Sequence, residues 1–494
     1  MKTKFLLLFC VLTVSTTLSA ATITVTSNAA SGENSLVAAV TAAATSDTIA
    51  FNFDGTEISL TDVIAMKSLY INGKNAFNNK AVILKQSNTA KSFFTFATGI
   101  TAKLSDLVFD GISVNANTAI TAANGSTLSI ERCVFKNIIA QGNNGGAARL
   151  QGKASIKNSS FENNASSGGY GGGALCIYNA AEISIDNCSF IGNTANINGT
   201  NKNGGGAIVA RGTVATTCKV SITNSTFANN TAALTGGALM ASVQSSSAYI
   251  VNIDAVNCTF TGNKGLGAIC AHTTVKGSAN IHLVNSIVLN NVDTATIASY
   301  SDILEVKGTD AATVALVTPQ NMIYSVAPTI VTTGKNCIQV TDPSTADIFN
   351  AYETFATDKK RPVLSTVDLM TVVMISSASQ AKGAGIATLE GYAIPTTDQL
   401  GTIRPATPSI GAVEYKQLSN IPTETSPILS FYVKSREIFI NGLSEPTAAN
   451  IYNIQGMLLK KATLNNHTSV NMENIPGNLF FVKIGNSTFK VLVH

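Results

Sequence analysis

Tryptophan is absent, histidine occurs four times, and charged residues make up 12% of the 494 positions. That charge share is about half of what an ordinary globular chain carries. So few histidines and so few paired acids leave little material for acid–base or zinc chemistry. Beyond the first twenty residues, 30 Lys and Arg face 28 Asp and Glu. A balance of this kind excludes the basic footprint of a nucleic-acid binder. No apolar run approaches the roughly 20 residues that a membrane-spanning helix needs. What is plentiful is small and apolar, with 45% hydrophobic residues and 38 glycines, a composition that argues against disorder.

Residues 1–20 read as a secretory signal peptide. Lys2 and Lys4 precede the apolar stretch Phe5–Val14, and Ser19, Ala20 and Ala21 offer a small-residue cleavage site. The mature chain is therefore expected to be exported. Its repeat cysteines Cys133, Cys188 and Cys258 are nevertheless expected to be free thiols. Cys133, Ser159, Cys188, Ser225, Cys258 and Ser286 alternate in one register. Cysteines two coils apart would sit about 9.6 Å apart at about 4.8 Å per coil, beyond the reach of a disulfide.

Between about 100 and 295 the chain repeats. The unit runs apolar–x–apolar, Asn, then Cys or Ser, one residue, an aromatic, and Asn again, as in Ile183-Ser-Ile185-Asp-Asn187-Cys188-Ser-Phe190. Anchor positions from Phe109 to Val288 are spaced by 26, 26, 29, 37, 33 and 28 residues. A period in this range means a solenoid, propeller or array. Short alternating runs without 3.6-residue periodicity make it a strand solenoid.

Parity places a bend in each unit. Ile183 and Ile185 share one face, Cys188 and Phe190 share one face, and the two sets differ by an odd step, so a straight strand cannot bury both. A corner at Asn187 repairs the register, because Asn tolerates the left-handed backbone. Asn158, Asn187, Asn224, Asn257 and Asn285 are thus expected to form a ladder of corner residues, whereas Asn164 is placed in a loop. A second marker, Gly-Gly-Ala, recurs at Gly145, Gly172, Gly205 and Gly236, with Gly-Ala at Gly267. Arg149, in the alternating run after the first of these, argues that its position faces outward.

These features resemble right-handed parallel β-helix proteins of pectate-lyase-like architecture, and the Gly-Gly-Ala and Phe-x-x-Asn markers are similar to polymorphic outer-membrane-protein repeats. Residues 22–51 resemble the strand–helix–strand cap that opens such domains. Asp398-Gln-Leu-Gly401-Thr-Ile-Arg404-Pro405 with Ser409-Ile410-Gly411-Ala412-Val-Glu414-Tyr is similar to the closing motif of the choice-of-anchor Q family. After a Ser-, Thr- and Pro-rich linker at 416–428, short alternating strands suggest a small β-sandwich at 429–494. Gly456, Gly477, Gly485 and Lys490 lie in segments that resemble a type A C-terminal sorting domain of type IX secretion.

The expected organisation is all-β. A signal peptide at 1–20 precedes a right-handed parallel β-helix solenoid at 21–415 with its cap at about 22–51, and a linker and a C-terminal sorting sandwich follow. The resemblance implies export through the periplasm, the type IX machinery as partner, and attachment at the outer surface. The function expected is binding or adhesion to extracellular polysaccharide or a host surface, or a structural role. The alternative is a polysaccharide lyase or glycoside hydrolase drawing its acids from insertions such as 194–206. No catalytic, metal or cofactor residue is assigned, and the binding residues are left unassigned. Arg149 and Arg211 are read as solvated, and His272 and His282 as ordinary strand-end residues.

Overall fold

A computed structural model describes residues 20–493, except 89, 112–117, 143–144, 196–203, 213–215, 244–248, 275, 294–298, 308–312, 327–335, 357–358, 416–429, 435, 442–445, 454–455, 465–467, 476, 478 and 485–486. Residues 1–19 of the expected signal peptide and the whole of the expected linker lie outside the described residues. The chain divides into two compact units, Met1–Tyr415 and Lys416–His494.

The first unit is a parallel β-solenoid. One coil reads Thr127–Glu131 in sheet A, a corner, Val134–Lys136 in sheet B, Ile139–Ala140 in a short sheet, a loop, and Ala148–Leu150 in sheet C. Lys153–Lys157 then opens the next coil in sheet A. Among the described residues, sheets A and B each have eleven strands, sheet C nine and the short sheet five. In sheet A the register between neighbouring coils is unbroken through the repeat, as in Ile130↔Ile156↔Ile185↔Ile222.

Two periodic signals produce this shape. Alternation sends Leu128 and Ile130 inward, where they are 1% exposed, and leaves Ser129 and Glu131 outward. After the corner, Phe109, Phe135, Phe161, Phe190, Phe227 and Phe260 fall into one column, with successive ring centroids 4.5–5.0 Å apart. Burying each such side chain contributes about 1.5–3 kcal/mol, so a coil gains its stability only by stacking on the next.

The Gly-Gly-Ala motif meets two separate demands. Gly172, Gly205 and Gly236 have φ of 78°, 73° and 66°. At the glycine that follows, a Cβ would run into the neighbouring coil, as Gly173 would into the Gly206 carbonyl.

The entrance is closed by Thr22–Val25, the helix Leu36–Ala42 and Thr48–Phe51. Ser35 caps the helix by accepting from the Ala38 amide at 3.2 Å. Lys67 Nζ closes its other end, donating to the carbonyls of Thr41 and Ala43 at 2.5 and 2.8 Å.

The stretch 398–415 corrects the expectation of a closing motif. It does not cap the last coil. It lies against the outer side of sheet B and crosses several coils. Gln399 donates to the Cys188 carbonyl at 2.9 Å, Thr226 donates to Gln399 Oε1 at 2.6 Å, and the Ala412 amide donates to Thr259 Oγ1 at 3.0 Å.

All seven described cysteines are free, and six are buried. The alternating serines are also spoken for. Ser159, Ser225 and Ser286 accept from the amides of Cys133, Cys188 and Cys258 at 3.1, 3.1 and 3.2 Å.

Among its described residues the second unit has antiparallel sheets of three and four strands. It has its own core, which includes Ile438, Ala449, Ile451, Phe480 and Val482.

Candidate functional site

The outward side chains of sheet A form rows along the solenoid axis, because every coil repeats the same alternation. The central row runs Lys103, Ser129, Ser155, Ser184, Ser221, Asp254 and His282. Beside it lies Thr127, Lys153, Glu182, Lys219, Asn252 and Asn280. A groove of about 1100 Å³ covers these rows from Tyr70 to Asp254. Its floor is a file of four serine hydroxyls in consecutive coils, spaced about 4.8 Å apart.

Ion pairs line the file. Lys153 Nζ lies 2.9 Å from Glu182 Oε2, and Lys103 Nζ lies 2.9 Å from Glu131 Oε2. The hydrogen bond from Lys153 holds the Glu182 carboxyl below its ordinary range, and that from Lys103 does the same for Glu131. At the far end His282 Nδ1 and Asp254 Oδ1 are 2.7 Å apart, and Asn280 donates to Asn252 at 2.9 Å. The Tyr392 ring stands edge-on to His282 at 6.1 Å.

This arrangement suits recognition of hydroxyls and amides along an extended polymer. It suits acid catalysis poorly, because a general acid needs a carboxyl shifted upward and Glu131 and Glu182 are shifted downward. Among the described residues no group of three or more His, Cys, Asp or Glu could hold a metal ion. The insertion 194–206 cannot supply acids either, since it contains no Asp or Glu. That corrects the source named for the enzymatic alternative.

The corner asparagines stand outside the groove. Asn158, Asn187, Asn224, Asn257 and Asn285 lie between sheets A and B with φ of 49°, 51°, 45°, 52° and 48°. The row begins earlier, at Asp106 and Arg132 with φ of 55° and 51°, and Asn321 continues it at 50°. Sequence reasoning missed Asp106 and Arg132 because the residue type changes while the position does not, and Asn321 because it lies beyond the repeat at about 100–295. Three of the five hold the folded-back segment or the chain leading into it. Asn224 donates to the Thr397 carbonyl at 2.8 Å, Asn257 to the Ser409 carbonyl at 3.4 Å, and Asn285 to the Ile386 carbonyl at 2.8 Å.

Asn164 lies between the strands Ser160–Glu162 and Ala165–Ser166, as expected, but it is no ordinary loop residue. It is fully buried and starts a second ladder with Asn193, Asn230, Asn263 and Asn291. Each amide donates to the next Asn Oδ1 at 2.9–3.0 Å. Each also donates to a phenylalanine carbonyl on the preceding coil at 2.9–3.1 Å. The ladder ends on the buried carboxylate of Asp302, which accepts from Asn291 at 2.9 Å. The Phe-x-x-Asn spacing carried this signal in the sequence.

His272 is the penultimate residue of the strand Ile269–Thr273, as expected of a strand-end residue, and His282 lies two residues before the end of Gly277–Val284. Arg149 is half-buried and Arg211 only 6% exposed, so the pair is not simply solvated. In the second unit Gly456 and Gly477 have φ of 81° and 105°. Lys490 lies in the strand Ser487–Leu492, in register with Phe481. Gly485 lies outside the described residues. Compared with known proteins, the chain matches no family model and no curated protein.

Proposed function

We propose that this is an exported, surface-displayed β-helix protein whose sheet A groove binds an extended extracellular glycan. The observation that carries the reading is the register of Ser129, Ser155, Ser184 and Ser221 along the groove floor. It offers one hydroxyl per coil, with amides and ion pairs at its margin. A polysaccharide presents hydroxyls at a similar regular step, and many weak, repeated contacts suit avid binding better than turnover. The apolar segment after Lys2 and Lys4 supports export. The separate C-terminal unit is proposed as the signal that the type IX machinery reads in the periplasm before attachment at the outer surface.

A second reading, cleavage of the same glycan, is favoured by one feature, the His282–Asp254 pair at the end of the groove. A glycan array run beside reducing-sugar and unsaturated-product assays separates the two. Binding without product, lost when S155Y and S184Y together fill the groove, supports the binder. Product formation abolished by H282A would replace it with the enzyme. Absence of any glycan binding would end both.

A further inference from the structure

Outside the groove, sheet C carries a charged cluster that the glycan reading does not use. The insertion before one of its strands brings Tyr170 over the sheet, where the outward Cys176, Val209, Met240 and Cys270 form a small apolar patch of their own. The expectation that Arg149's position faces outward therefore leads to a covered surface. Four planar groups stack there across three coils. The Arg149 guanidinium lies 5.3 Å from the Tyr178 ring centroid, Tyr178 stacks on Tyr170 at 5.4 Å, and the Arg211 guanidinium lies 3.8 Å from the Tyr170 centroid.

The cluster has two positive charges and no negative one. Residues 187–253 contain no Asp or Glu. The acids nearest in sequence point elsewhere, with Glu162 on sheet B and Glu182 and Asp186 on sheet A. Arg211 is 6% exposed, and its Nε and Nη1 are buried without a hydrogen-bond partner, as is Nε of Arg149. Both guanidinium charges are felt at Cys176, where they oppose the burial that pushes its thiol up to about 11. A buried, unpaired guanidinium is costly, and cation–π contact offsets only part of that cost. Arginine forks recognise oxyanions through paired N–H donors, and half-buried Arg149 and Tyr170 keep the stack open to solvent.

We propose that Arg149 and Arg211, stacked on Tyr178 and Tyr170, form a binding site for a small oxyanion, the sulfate, phosphate or carboxylate group of an acidic ligand. The anion supplies the counter-charge that the chain itself does not provide. The site lies on a different sheet from the glycan groove and stands or falls independently of it.

The test is titration of the full-length protein with inorganic sulfate, inorganic phosphate and acetate at constant ionic strength, followed by calorimetry. Saturable binding of at least one anion is expected, and the arm that binds tells tetrahedral oxyanions from carboxylates. R211M should weaken it tenfold or more, R149M should weaken it measurably, and K276M on an exposed turn should not change it. Sulfate also stabilises proteins generally by exclusion from their surface, so an equal, non-saturating effect on all variants would overturn the site. Should R211M fail to fold, R149M decides alone, and an unchanged affinity there overturns the proposal.

Discussion

Asn187 and Asn193 stand six residues apart in one coil and answer different demands. Asn187 supplies a left-handed backbone, so Asn187→Val should cost about 1–3 kcal/mol through backbone strain. Asn193 is fully buried, donates to Asn230 and the Phe161 carbonyl, and accepts from the amide and side chain of Asn164. Each orphaned buried partner costs about 1–3 kcal/mol, so Asn193→Val should be the more damaging change. Asn164→Val should be no milder than Asn187→Val. Chemical denaturation of the three variants checks this order, and it would be refuted by Asn193→Val matching wild type.

The buried thiols make a pH prediction at the same scale. Burial pushes Cys133, Cys188, Cys258 and Cys270 up to about 12. An unfolded thiol titrates near about 8.5. The folded state therefore keeps protons that the unfolded chain loses. The stability these groups contribute is full below about pH 8.5 and declines as pH rises toward 12. Denaturation midpoints should fall steadily across that window. Thiol reagent at pH 8 should label few cysteines in the native protein and all seven mature-chain cysteines once it is unfolded without reductant.

Among the elements, the folded-back segment is tied to itself by a buried ion pair. Arg404 Nη1 and Glu414 Oε1 are 2.5 Å apart, with side chains 2% and 5% exposed. Arg404 also donates to Asn224 Oδ1 at 2.9 Å, and Glu414 accepts from the Ser409 amide at 2.8 Å. Removing one partner of such a pair typically costs about 3–5 kcal/mol, because the other charge is left buried. Glu414→Gln should therefore release residues 398–415 to protease while the β circular dichroism of the solenoid persists. A variant as protease-resistant as wild type would show that the hydrophobic contacts of Ala412 and Val413 suffice.

For the whole molecule, each unit holds its own core. A chain ending at Leu418 should fold, keep its β spectrum and melt within a few degrees of the first transition of the full protein. In cells with type IX secretion it should remain in the periplasm, whereas the full chain should become accessible to external protease. Arrival of the truncated chain at the surface would remove the sorting proposal for 429–494.

The sequence by itself determined the repeat, the strand type and the column of inward residues, because these follow from local periodicity that every coil states again. The Phe-x-x-Asn spacing was equally legible, yet its meaning was not. Asn164 and Asn187 look alike in one dimension, and only the stacking of coils decides which amide is buried and which bends the chain. Tertiary structure alone placed 398–415 along the flank of sheet B, since Gln399 meets Cys188 and Ser189 across more than 200 residues. It alone brought Arg149 and Arg211 together with two tyrosines, because a parallel coil makes neighbours of residues 62 positions apart. Periodicity is a property of the chain, whereas burial and counter-charge are properties of what the chain is folded against.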